Sequence, residues 1–162
     1  IVAEFKVVGD SYECIMLECS NVLLSVIYRP PTGSIESFLN FIEKSLERSL
    51  DSRLQTVLVG DFNINVSLDN PSYVRLNELI EANGCMNVIS TPTRITATSE
   101  TTLDPCITSF DTTDVKAGAI TTDISDHFPT YCFLPGNRVI KSKDEMLFRS
   151  YSSRNIKLFE NL

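Results

Sequence analysis

At 162 residues the chain is long enough for one domain with a real core, and its 43% apolar content is ordinary for a globular protein. The net charge of −7 argues against a bulk basic surface that would bind polyanions non-specifically, but a divalent cation and a few local arginines can still carry a phosphate contact. No apolar run approaches the length that spans a bilayer, and the opening Ile1-Val2-Ala3-Glu4-Phe5-Lys6 is no signal peptide, so no membrane partner is expected.

The chain starts without methionine and ends in what reads as the middle of a helix, which predicts a fragment of a longer protein. Five cysteines (Cys14, Cys19, Cys85, Cys106, Cys132) show no C-x-x-C spacing. Four of them sit in apolar runs, which predicts reduced, buried thiols in an intracellular protein.

Residues 1–28 supply three strand candidates. Tyr12 to Glu18 alternates, whereas Val22 to Tyr28 is more uniformly apolar, as in a strand buried on both faces. The following Tyr28-Arg29-Pro30-Pro31-Thr32-Gly33 must leave the sheet, because proline cannot donate to the ladder. Tyr28 then reads as a strand-end aromatic or as a site residue. Ser34 to Leu50 is the clearest helix, with Ile35, Leu39, Ile42, Leu46 and Leu50 at helical spacing, Phe38 widening the stripe and Ser34 as cap.

Val57, Leu58 and Val59 form a buried strand that stops at Gly60. Asp61 and Asn63 follow at i and i+2, a spacing that in extended backbone puts both on one face with Phe62 opposite. A carboxylate and a carboxamide at a rigid strand end suit catalysis, although a Gly-Asp turn bonding its own backbone uses the same residues. A second helix runs from Pro71 to Ala82, with Asn70 as N-cap and Gly84 as stop.

Met86 to Ile95 is strand-like and interrupted at Pro92, with Thr93 and Arg94 exposed. Leu103 to Phe110, which carries Asp104, Val115 to Ile120 and Thr130 to Leu134 complete the strands. The single histidine, His127, directly follows Asp126, so the two share a pocket only if the backbone bends between them. Strands alternating with helices, then late hairpin-like strands, predict an α/β fold, a layered sandwich of two mixed sheets flanked by helices. The domain ends near residue 136, and 137–162 reads as a linker or tail.

Gly60-Asp61-Phe62-Asn63, then Thr101-Thr102-Leu103-Asp104, then Ser125-Asp126-His127 resembles, in that order, the endonuclease/exonuclease/phosphatase superfamily. Within it, Val26-Ile27-Tyr28-Arg29-Pro30-Pro31, Thr91-Pro92-Thr93-Arg94-Ile95-Thr96 and Ile124-Ser125-Asp126-His127 are similar to the apurinic-endonuclease-like domain of non-LTR retrotransposons. Phe148-Arg149-Ser150-Tyr151 and Phe159-Glu160-Asn161-Leu162 are similar to the segment that leads toward a covalently linked reverse transcriptase.

The resemblance implies a DNase I-like sandwich, incomplete at its N-terminus, that nicks DNA with Mg²⁺ or Mn²⁺ in the nucleus. It implies that Asp61 orients or deprotonates water and that Asn63 holds the water and a phosphate oxygen. His127 would donate to a non-bridging oxygen, Asp104 would fix its tautomer, and Tyr28 would sit beside the phosphate. Asp126 would be a metal ligand, while Thr93, Thr101 and Arg94 would be substrate contacts or structural. The family's early Asn and metal-ligand Glu lie upstream of Ile1, and Glu4, Glu13 and Glu18 do not stand in that context. An inactive relic or binding module, and another superfamily phosphoesterase such as a repair apurinic endonuclease, are the competing expectations.

Overall fold

The computed structural model describes residues 3–135, so the expected linker and reverse-transcriptase-like tail at 137–162 lie outside the described residues. The first three strands, β1 (Ala3–Gly9), β2 (Tyr12–Cys19) and β3 (Val22–Tyr28), form an antiparallel meander. At Arg29 the chain leaves the sheet, crosses back through α1 (Ile35–Asp51), and re-enters as β4 (Gln55–Asp61), parallel to β3. A parallel neighbour requires such a crossover, and the helix supplies it.

The chain continues through α2 (Pro71–Ala82), β5 (Met86–Asn87), β6 (Arg94–Ile95), β7 (Glu100–Thr101), β8 (Cys106–Thr108), β9 (Lys116–Ala119) and β10 (Thr130–Phe133). β8 returns antiparallel to β4, giving a six-stranded mixed sheet of order β1-β2-β3-β4-β8-β5, while β6–β7 and β9–β10 pair as separate hairpins. This is the expected α/β layering, with β4 near the centre.

Both expected helices form. The Ser34 hydroxyl accepts from the Ser37 amide, and Asn70 caps α2 by accepting from the Ser72 amide. Leu50 departs from the expected stripe, since it is exposed while Ser45 and Ser49 are buried. The Ser49 hydroxyl donates to the Leu54 carbonyl, so a polar residue closes the last turn in its place. Met86 to Ile95 is not one interrupted strand. The Asn87 side chain bonds both the amide and the carbonyl of Ile89, which turns the chain out of the ladder after two residues. Leu103 to Phe110 shortens to β8 for a similar reason, because the Leu103 and Asp104 amides go to the Thr93 hydroxyl instead of a neighbouring strand.

The helices cover one face of the sheet. Phe38, Ile42, Leu46, Leu76 and Ile80 pack on Leu23, Ile27, Leu58 and Ile107, and Phe62 meets Phe38 edge-on at 5.1 Å. On the other face Val57 and Cys106 pack with Ala117, Cys132 and Leu134 from the β9–β10 layer. That layer does not reach the β2–β3 end, where Ile15, Val26 and Tyr28 remain exposed.

Candidate active site

The site starts at the end of β4. Gly60 has φ +130°, and a Cβ there would lie 1.9 Å from the Ile27 carbonyl oxygen, so only glycine lets β3 and β4 approach this closely. The register places Tyr28 beside Asp61. Beyond Asp61 the backbone does not stay extended as expected: Asn63 has φ +48°, in the left-handed region where Asn is better tolerated than most residues. This turn aims the Asn63 amide at Asp61 Oδ1, 2.9 Å away, while Phe62 is fully buried as expected.

Three loops then lie alongside one another. The Phe62 amide donates to the Leu103 carbonyl and the Val66 amide to that of Thr102, which brings Asp104 next to the Asp61 loop. Thr93 donates from its amide to Thr101 and accepts at its carbonyl from the Phe128 amide, so it joins the Asp104 segment to the His127 segment. The result places His127 Nδ1 3.1 Å from Asp104 Oδ2 and 3.3 Å from Oδ1. An ionised carboxylate can only accept, so Nδ1 is the donor, and Nε2 makes no hydrogen bond to the described residues.

Thr93 has no exposed surface, and its hydroxyl donates to Asp104 Oδ2 at 2.6 Å while accepting from two amides. It acts on Asp104 and does not face open space. Thr93→Val keeps the shape but orphans two buried amides. We expect a loss of about 1–3 kcal/mol in urea unfolding, as for buried donors left unpaired.

Asp61, Asp104 and His127 each offer a ligand atom within 4.8 Å of the others, a group that could hold a metal ion. Asp126 stands outside it: exposed, it takes the Arg94 guanidinium at 2.8 Å, which holds its carboxyl below the usual range. Asp126 and His127 therefore point apart. Tyr28 is half exposed beside Asp61, and the Thr101 hydroxyl is buried without a hydrogen-bond partner among the described residues.

Burial raises the Asp61 pKa, and the nearby Asp104 charge adds to this, against the lowering pull of the Asn63 amide and of His127. A carboxyl with a raised folded-state pKa takes up its proton more readily folded than unfolded, so its ionised form counts against stability at neutral pH. Asp61→Asn keeps the acceptor for Asn63 but removes that charge. In excess chelator its melting temperature should equal or exceed the parent's at pH 7, with any gain shrinking as pH falls through the raised pKa.

Sequence reading singled out Arg29 only as part of a motif, yet it is the most heavily bonded side chain at the site. It is 3% exposed and donates from Nε to Phe62, from one terminal nitrogen to Pro30 and Gly33, and from the other to Asn63. The signal was its position at a strand end before two prolines, where a long polar side chain can turn inward under the loop.

Solved structures that share this fold include the following three. The endonuclease domain of TRAS1, a telomere-specific non-LTR retrotransposon, aligns at TM-score 0.57 and 17% identity over 81% of this chain and 67% of that one. The cytolethal distending toxin of Haemophilus ducreyi aligns at 0.57 and 18%, over 82% and 58%. The 3′ phosphatase NExo from Neisseria, bound to product DNA hairpin, aligns at 0.60 and 14%, over 76% and 65%. The chain thus spans between about half and two-thirds of the chains it matches. No curated protein gives a significant match.

The fold is that of the endonuclease/exonuclease/phosphatase superfamily. Residues 22–131 match the family model described as endonuclease-reverse transcriptase, and the chain belongs to that family.

Proposed function

We propose that this chain is the catalytic part of a metal-dependent endonuclease that hydrolyses one phosphodiester in DNA, within a retrotransposon polypeptide that also carries a reverse transcriptase. The observation that carries the reading is the meeting of Asp61, Asn63, Asp104 and His127 from three separated stretches at one end of the sheet. Asp61, with its Oδ1 held by Asn63, orients an attacking water and accepts its proton through the other oxygen. The Asn63 side-chain amide donates to the Arg29 carbonyl, which leaves its oxygen to hold the water. His127 as imidazolium donates Nε2–H to a non-bridging phosphate oxygen, and Asp104 fixes the ring through Nδ1.

The carboxylates of Asp61 and Asp104 suit a hard divalent cation such as Mg²⁺ or Mn²⁺ as oxygen donors; bound there, it would neutralise charge on the phosphate. Asp126, the other carboxylate expected to hold a metal, is paired with Arg94 through one oxygen and lies outside this group. A cation also answers the acidic balance, because Arg29 is buried and Arg94 is paired. No described helix is long and apolar enough to cross a membrane, and the DNA substrate puts the proposed site of action in the nucleus.

The test uses supercoiled plasmid and the protein at the full length its transcript encodes. Conversion to the nicked circle with Mg²⁺ or Mn²⁺, stopped by excess chelator, is expected. Release of inorganic phosphate from a 3′-phosphorylated oligonucleotide without nicking would mean a phosphatase instead. Absence of both would leave a non-catalytic module.

A further inference from the structure

We infer that Arg29 is a positioning residue that holds Asn63 in its left-handed conformation and so aligns the Asp61–Asn63 pair. The inference rests on the nuclease reading of that pair and adds a residue to it. Arg29 is buried, yet it faces carbonyls and not a carboxylate partner: its Nε reaches the Phe62 carbonyl at 2.7 Å and one terminal nitrogen the Asn63 carbonyl at 2.8 Å. The other terminal nitrogen reaches Gly33 at 2.7 Å and Pro30 at 3.1 Å. Asn63 answers by donating its side-chain amide to the Arg29 carbonyl at 2.9 Å, and the Arg29 amide donates to the Asp61 carbonyl at 2.9 Å.

The two residues thus hold each other reciprocally. A non-glycine residue at φ +48° persists only where its surroundings over-determine it, and here one planar fork fixes two consecutive carbonyls. If the fork is removed, Asn63 can relax toward ordinary backbone conformations. Its amide then swings off Asp61 Oδ1, and its side chain leaves the place where a phosphate oxygen or water would be held. The guanidinium carbon lies 6.0 Å from the centre of the Phe38 ring, so the fork rests over an aromatic face of the core.

The test is Arg29→Lys, with Arg29→Gln beside it, in the full-length protein. Lysine keeps the charge but cannot span two carbonyls, so kcat for plasmid nicking should fall about 10²-fold with KM little changed, the size expected of a misplaced catalytic group. In an Asn63→Ala background the same change should have almost no further effect on kcat, because the pair acts as a unit. Independent, full-sized losses in the two backgrounds would overturn the inference, as would unchanged kcat in folded Arg29→Lys.

Two further measurements need no turnover. In ¹⁵N spectra of the wild-type chain, the Arg29 Nε–H should exchange slowly with solvent, and in Arg29→Lys the Asn63 backbone and side-chain amides should shift more than those of β1. A fast-exchanging Nε–H overturns the clamp even if both variants fail to fold. Wild-type protein that is inactive yet shows the slow Nε–H would sink the nuclease reading and leave the clamp standing.

Discussion

Gly60→Ala should unfold the protein or leave it barely stable. Two effects combine there. The backbone sits at φ +130°, which L side chains rarely adopt, and the new methyl would lie 1.9 Å from the Ile27 carbonyl oxygen and 2.9 Å from its nitrogen. The obstacle is backbone of a paired central strand, so relief requires β3 and β4 to separate. Strained backbone alone costs about 1–3 kcal/mol. With the forced loss of ladder bonds the total should exceed about 4 kcal/mol, a large part of the roughly 5–15 kcal/mol that holds a domain together. Gly84→Ala is the control. It has φ +68° but nothing within 4 Å of the added carbon, so it should lose only about 1–2 kcal/mol. Chemical denaturation of the two variants side by side would separate close approach from backbone preference.

His127→Ala should leave the fold intact and remove nearly all nicking. The ring is partly exposed and bonds only Asp104 among the described residues, so its loss should change the melting temperature little. A positioned proton donor typically contributes about 10²–10⁴-fold, and kcat should fall by that amount while KM holds. Asp104→Asn tests the other half of the pair. Its amide can present nitrogen to Nδ1, which reverses the donor and acceptor roles and turns or retautomerises the ring, so a loss of similar order is expected. Plasmid nicking under single-turnover conditions reads both. Full activity in either variant would remove the pair from the mechanism.

The helices and long strands were legible because each follows from local chemistry. Ser34 and Asn70 can cap, apolar residues recur at helical spacing, and Val22 to Tyr28 is an apolar strand as expected, although it is buried on one face only, with Val26 and Tyr28 exposed on the other. The short strands were less legible, because what ends them lies far off in the chain. β8 begins late because Thr93, ten residues earlier, takes the Leu103 amide. The superfamily motifs marked the residues that meet at Asp61, Asp104 and His127, but not how they meet. Extended spacing put Asp61 and Asn63 on one face, whereas a left-handed turn at Asn63 brings them together. Nor could adjacency reveal that Asp126 turns to Arg94 while His127 turns to Asp104. Arg29 became visible only when the carbonyls of Phe62 and Asn63 were seen to converge on it.

The two halves of the site belong to parts of the structure with unequal anchorage. Asp61 ends a strand hydrogen-bonded on both sides, deep in the sheet. His127 is held by one isolated bridge to Arg94, the Phe128 amide and a four-residue hairpin. Proteins open in cooperative pieces, and weakly anchored pieces open first. Amide hydrogens at Ile95 and Phe128 should therefore exchange well before those of β4. Mild heat or denaturant would then release the histidine while the sheet stays folded, and activity would fade ahead of any change in secondary structure.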